Sequence, residues 1–277
     1  GFLVSTATWN YACDRVILCA GGKAAPQTGS DGSGYLLSEK CGHRINPVYP
    51  ALVPLKTGGK MASALSGIRN PAVLSLEIDG NMTHRESGEL QWTEYGVSGI
   101  VVFQLSRFAV RALAKRPGET DGKTKSVPVQ LDLLPFVSAE ELFIHLANRK
   151  ALQPDGCSAE SLLAGVFAKK AIGPLLQAAK IKPSEKAAKL SDKELHRLIT
   201  TVKQLTLTVS GNRSFEQAQV CQGGVCCAEI HPQTLESRKM PGLYIIGELL
   251  DVDGICGGYN LQWAWASGFA AGRAAVR

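Results

Sequence analysis

The chain has 277 residues, 45% apolar and 19% charged, the composition of an ordinary soluble globular protein with enough length for a sizeable core. Its net charge of +6 is modest, and six lysines between Lys169 and Lys189 face only Glu185; the few aromatics are not interleaved with them, so the run reads as a solvated helix face and not as a nucleic-acid platform. No apolar run reaches membrane-spanning length and no signal peptide is read, so a membrane role is excluded and the cytoplasm is the expected compartment.

Gly1 is followed by FLVSTATWN, which reads as a strand already under way and hence as a fragment boundary. Residues 14–22, DRVILCAGG, form an apolar run closed by Gly21 and Gly22. Such a run fits a strand buried on both faces of a parallel sheet, its C-terminal end opening onto a ligand crevice. A glycine-rich loop, TGSDGSG at 28–34, precedes a short helix that ends near Gly42, a residue suited to a C-cap. From about Pro47 the texture changes to strands. Leu74, Leu76 and Ile78 alternate with polar residues and run into Asp79-Gly80, a hairpin signal. Residues 100–114 look helical, and Val127, Val129, Leu131 and Leu133 alternate again.

Ser138 with Glu141, and Ser191 with Glu194, have capping-box spacing. Residues 138–203 thus read as a helical unit, broken at Pro154-Asp155-Gly156, at Gly173-Pro174 and at Pro183. Strand texture returns at 205–209 and 217–221. The last forty residues resemble the first forty in pattern, with a buried strand at 242–248, a loop LLDVDGICGG, and a small-residue helix from Tyr259 or Asn260. The fold class expected is α/β, with a two-part insertion of strands around helices. The α/β parts would be 1–46 and 236–277, the inserted strand parts 47–137 and 204–235, and the inserted helical part 138–203.

The C-terminal block carries the chemistry. Strand, glycine turn and helix N-terminus together present backbone N–H groups and a positive dipole end to an anion. Gly257 and Gly258 let backbone approach a flat ligand, and Ala264, Gly268 and Gly272 leave one helix face nearly bare. Eight cysteines show no CxxC pairing and no histidine at zinc-ligand spacing, so no metal site is expected. The five histidines are scattered, and Cys226-Cys227 is read as turn and strand and not as a redox pair.

The stretch 242–272, GLYIIGELLDVDGICGGYNLQWAWASGFAAG, resembles the C-terminal signature of the YhiN/BaiN-type flavoproteins, bacterial NAD(P)/FAD-dependent oxidoreductases also labelled aminoacetone-oxidase-like. The stretches 16–35, 90–107 and 218–225, with Thr234, Glu236 and Ser237, agree in the same order. The resemblance implies FAD as cofactor, NAD(P)H as reductant, a small-molecule substrate and a two-dinucleotide-binding, Rossmann-like flavin domain formed by 1–46 and 236–277, with an inserted β-barrel (47–137 and 204–235) and helical subdomain (138–203). It implies that Gly21 and Gly22 end the strand beside the FAD, and that Gly247 and Glu248 lie near its ribityl chain or pyrophosphate. Gly257, Gly258, Tyr259, Asn260 and Leu261 would line the pyrimidine edge, with Asp253 and Asp251 in the intervening loop. Tyr95, in the EYGVSG loop of the pattern, is the candidate catalytic acid.

The sequence departs from the family pattern in one important respect. The strand, GxGxxG turn and helix that open the family are absent, and GSDGSG at 29–34 has the wrong glycine order to replace them. The expectation is therefore a fragment that does not hold FAD alone, whose exposed strand edges would suit a second copy of the chain, a homo-oligomer. Cys221 stands where relatives often carry Thr, and Trp92 where Phe is common. The rival readings are a non-catalytic binding or assembly module, and a flavoprotein that works without NAD(P).

Overall fold

The computed structural model describes residues 1–114, 127–154 and 156–276; Asp155 of the expected helix break lies outside them. The chain divides into two compact units, one of Gly1–Val53 with Arg213–Arg277, the other of Pro54–Asn212.

The first unit opens with β1 (Phe2–Ser5) and β2 (Asn10–Cys13), an antiparallel hairpin in place of the single opening strand expected. Next come β3 (Val16–Leu18), helix α1 (Ser33–Lys40) and β4 (Ile45–Ala51). Helix α1 ends in a Schellman motif. Gly42, at φ 87°, donates its N–H to the Glu39 carbonyl at 2.8 Å, and His43 donates to that of Ser38 at 3.0 Å.

The second unit holds β5 (Leu55–Thr57), α2 (Met61–Leu65), β6 (Arg69–Ile78), β7 (Asn81–Thr93), β8 (Gly96–Ser98) and α3 (Ile100–Leu113). After β9 (Val127–Asp132) come α4 (Ala139–Leu152), α5 (Glu160–Leu163), α6 (Lys169–Ala178), α7 (Asp192–Lys203) and β10 (Leu205–Asn212). Six strands pair in a closed barrel in the order β10-β5-β8-β7-β6-β9. Period-two patterning drives it: Val127, Val129 and Leu131 on β9, and Leu205, Leu207 and Val209 on β10, are buried while their neighbours are not. The turn from β6 to β7 is Asp79-Gly80, with φ of 52° and 78°, the left-handed pair that a two-residue hairpin requires.

Both capping boxes form. The Ser138 hydroxyl accepts from the Glu141 N–H at 3.1 Å while the Glu141 carboxylate accepts from the Ser138 N–H at 2.8 Å, and Ser191 with Glu194 repeats the pattern. Gly173-Pro174 does not break the chain as expected; both residues lie inside α6. Pro174 removes one N–H from the helix ladder, but Ala171, Ile172, Leu175 and Leu176 are all buried, and burial of that order outweighs one missing hydrogen bond.

The chain then returns to the first unit with β11 (Val220–Val225), β12 (Leu243–Ile245) and α8 (Tyr259–Ala275). Strand β11 pairs antiparallel with β4, so the barrel return expected over 204–235 divides: β10 closes the barrel and β11 does not. Glycine explains the partnership. Gly223, at φ 86°, sits so close to β4 that a Cβ would fall 2.0 Å from the Pro47 carbonyl oxygen. Strand β12 pairs parallel with β3. Among the described residues β3 has that one partner, and Ile17 is 38% exposed where burial on both faces was expected.

Substituting Gly223→Ala is expected to cost about 3 kcal/mol or more, because the new methyl meets backbone and not a yielding side chain. Urea unfolding followed by circular dichroism checks this.

Candidate functional site

In the first unit, the three residues of β12 are fully covered and carry the chain to Gly247, where φ turns to 64°. Helix α8 fixes that turn. The Ser267 hydroxyl accepts the Gly247 N–H at 3.0 Å, and the Trp263 indole donates to the Gly247 carbonyl at 3.0 Å. Ser267 and Ala271 are buried, so the face of α8 that meets the sheet is made of small side chains.

Glu248 follows and faces a compact polar cluster. Its carboxylate accepts the Cys221 N–H at 3.1 Å and also the Gly22 N–H. Gly22 is glycine for a spatial reason: a Cβ there would lie 3.0 Å from Glu248 Oε2, 3.1 Å from the Tyr35 hydroxyl and 3.2 Å from Cys221 Sγ. Burial pushes the Glu248 carboxyl above its ordinary value, against the pull of the two amides. Burial likewise raises the Tyr35 phenol and the Cys221 thiol, so both hold their protons at neutral pH. The Lys23 N–H donates to Cys221 Sγ at 3.2 Å.

Beyond Glu248 the loop is tied down by side chains. Asp251 accepts from the Asn46 amide at 2.7 Å and from the Gly223 N–H at 3.0 Å, and its own N–H donates to the Val225 carbonyl at 3.0 Å. Asn260 grips Gly254 with both ends of its amide, accepting the Gly254 N–H at 2.7 Å and donating to the Gly254 carbonyl at 3.1 Å. Gly257 and Gly258, at φ 113° and 91°, then lead into α8, whose first turn has no side-chain cap. These elements frame a cavity of about 300 Å³, with Leu52, Val220, Glu248, Gly257, Gly258 and Asn260 in its wall. An uncapped helix N-terminus at the rim of such a cavity suits an anionic group.

Of the residues expected from sequence, Glu248, Gly257, Gly258, Asn260 and Leu261 line this cavity, and Gly22 touches it through Glu248. Gly247 is the hinge beneath it. Gly21, at φ 73°, lies in the loop after β3, where a Cβ would meet Ser30 Oγ at 2.8 Å. Tyr259 is 59% exposed at the start of α8, and Asp253 is half-buried in the loop before it. Asn260 spends its side chain on the loop itself, and Asp251 ties the loop to β4 and β11. Tyr95 belongs to the second unit, in the turn between β7 and β8, where its carbonyl accepts the Thr57 N–H at 3.1 Å. Sequence reasoning missed Leu52, which carries no motif, and gave no role to Tyr35, which closes the 16–35 stretch.

It also missed a buried tie behind the site. His43 bonds Ser237 Oγ through Nε2 at 2.8 Å and Glu229 through Nδ1 at 3.2 Å. The Ser237 oxygen already accepts the Lys239 and Met240 N–H groups at 3.0 and 2.9 Å, so its own proton must go to His43 Nε2. His43 is therefore neutral, with its proton on Nδ1 and donated to Glu229. Burial holds its pKa below the ordinary value, while the Lys239 ammonium at 2.7 Å, with the Arg44 N–H and His43, holds Glu229 down at about 2. Both lone pairs of the Ser237 oxygen are occupied, so the serine–histidine–glutamate line is a structural brace and not a nucleophile.

Curated relatives align with nearly the whole chain. It matches the HI0933-like protein Rossmann domain family over residues 1–274. It is 42% identical over 281 residues to a 3-dehydro-bile acid delta(4,6)-reductase of Clostridium scindens, covering 100% of this chain and 65% of that protein. It is 31% and 30% identical to the ribosomal RNA dihydrouridine synthases of Escherichia coli and Haemophilus influenzae, covering 98% and 97% of this chain and 62% of each of theirs. The chain thus spans less than two thirds of the length of these relatives.

The geometry sets two expectations. His43 has a folded pKa below its unfolded 6.5, so its contribution to stability is whole above that pH and is lost as pH falls through the folded value. Thermal melts from pH 7 to pH 5 should show that loss, and His43→Gln should flatten it. Asn260→Ala leaves the Gly254 groups without their partners and should cost about 1–3 kcal/mol, seen as faster amide exchange confined to the 251–260 loop, while distant amides keep their rates.

Proposed function

The chain belongs to the HI0933-like protein Rossmann domain family, and from that premise we propose that it serves an FAD-dependent oxidoreductase that reduces a carbon–carbon double bond in a small organic substrate. FAD, when bound, supplies the hydride-transfer chemistry, with NAD(P)H as the reductant and the cytoplasm as the place of work. The observation that carries the reading is the glycine-framed cavity at the N-terminus of α8, with Glu248 in its wall. The relatives lend direction to it: one is named for a delta(4,6) reduction and two for making dihydrouridine, and both names describe saturation of a double bond.

The residues fit a flavin on two counts. The space that a Cβ at Gly22 would fill is bounded by Glu248, Tyr35 and Cys221, so only bare backbone sits at the end of that strand. The 17-residue helix α8 begins at two positive-φ glycines with no side-chain cap. In this reading the first turn of α8 holds the edge of the ring system that gains negative charge on reduction, an interaction of up to ~2 kcal/mol in partly buried geometry. Glu248, pre-aligned by two backbone N–H groups, would accept from a hydroxyl of the cofactor's polyol chain. Gly247 and Asn260 would hold these groups in place.

The test compares the 277-residue chain with the longest product of its gene, each incubated with FAD and desalted. A yellow gene product, bleached without oxygen by NADH or NADPH, is the expected result. Gly258→Val forces a branched side chain into left-handed backbone at the cavity rim and should weaken flavin binding about tenfold. A gene product that stays colourless, or a Gly258→Val form that binds flavin as tightly as its parent, overturns the proposal.

A further inference from the structure

The second unit carries a feature that the flavin reading does not use. Segment 169–203 holds nine lysines and arginines against Glu185, Asp192 and Glu194, a net +6, which equals the net charge of the whole chain. Folding gathers part of this charge around one depression of about 390 Å³ between the end of α6 and the outer side of α7. Lys180, Lys193, His196 and Arg197 line it together with Thr200 and Thr201, and among the described residues no acidic one does. Glu194 is turned aside: its carboxylate caps the Ser191 N–H at 2.8 Å and meets Arg197 at 3.4 Å. Arg197 is braced from behind by donating Nε to the Ala179 carbonyl at 3.2 Å.

An aromatic element completes the surface. The His196 ring stacks on Phe143 of α4, centroids 4.5 Å apart and planes 9° from parallel. His196 is exposed, so its outer face is open to solvent. In sequence Phe143 lies far from the lysines; in the fold it anchors a flat ring among them. Cations that hold phosphates beside a supported ring on which a base can stack are the two components of single-strand recognition.

We infer that this α6–α7 face binds a single-stranded nucleic acid, its phosphates held by Lys180, Lys193 and Arg197 and a base stacked on His196. This departs from the sequence expectation of a solvated helix face with no nucleic-acid partner. It stands apart from the flavin reading, since its residues belong to the other compact unit, and either can fail alone.

The experiment is fluorescence anisotropy of the 277-residue protein with a labelled mixed-sequence RNA of about 12 nucleotides, within the usual single-strand site size. With three phosphate contacts, affinity should fall about 20-fold between about 50 and 200 mM salt. In Lys180→Gln/Lys193→Gln, one contact remains and the fall should be about threefold. As a readout that does not depend on charge, 2-aminopurine placed in the strand should be quenched by the parent protein and released from quenching by His196→Ala. Absence of saturable binding at low salt overturns the inference, as does a double variant with the parent's affinity and salt slope. Equal displacement by RNA and by polyglutamate would show a general polyanion surface and overturn the nucleic-acid assignment. If the double variant misfolds by circular dichroism, the His196→Ala quenching decides alone.

Discussion

Gly247 surrenders both of its backbone polar groups to side chains of a helix that begins twelve residues later, and much of the first unit depends on that exchange. A buried peptide group at a strand end has no ladder to satisfy it, and leaving it bare costs on the order of 1–3 kcal/mol. Ser267 and Trp263 meet the demand from α8. To do so the helix must lie close, which is why Ser267 and Ala271 are buried where it meets the sheet and why the nearest heavy atom to a Cβ on Gly268 would be Ile246 Cδ1 at 3.7 Å. The close approach in turn fixes where α8 starts, and so where its positive end meets the cavity.

The polar cluster around Glu248 has a different logic. Three titratable groups are packed beside a glycine, and burial favours the uncharged form of each. Such a floor gathers hydrogen-bonding groups beside the bare backbone of Gly22. The helix terminus at the rim adds a positive partial charge.

Much of this was legible in the sequence where the signal is local. The capping boxes at Ser138 and Ser191, the Asp79-Gly80 hairpin and the C-terminal glycine turn each rest on a few adjacent residues, and each formed as its chemistry requires. The alternation of β9 was readable because one face of the strand is buried. What escaped was non-local. The choice of β4 as the partner of β11 rests on the approach of Gly223 to Pro47, far away in the chain. His43, Ser237 and Glu229 come from three segments and share no motif. Phe143 and His196 stack across two helices that the sequence presents separately. Pro174 deceived for another reason: its local preference for breaking a helix was overruled by the burial of its neighbours.

The parallel pair of β3 with β12 joins Val16–Leu18 to Leu243–Ile245, with the whole barrel-bearing unit between them in the chain. On a ribosome the first strand emerges long before its partner exists, and Pro54–Asn212 leaves the exit tunnel as an uninterrupted stretch that needs nothing from either flank for its own strand pairing. The long gap then works in the protein's favour. A folded unit occupying that interval brings its two ends, Leu55 and Asn212, into register within the barrel, so the loop that β3 and β12 must close is far shorter in effect than the residue count between them. The inserted unit is thus a splint that shortens the search for the site it interrupts.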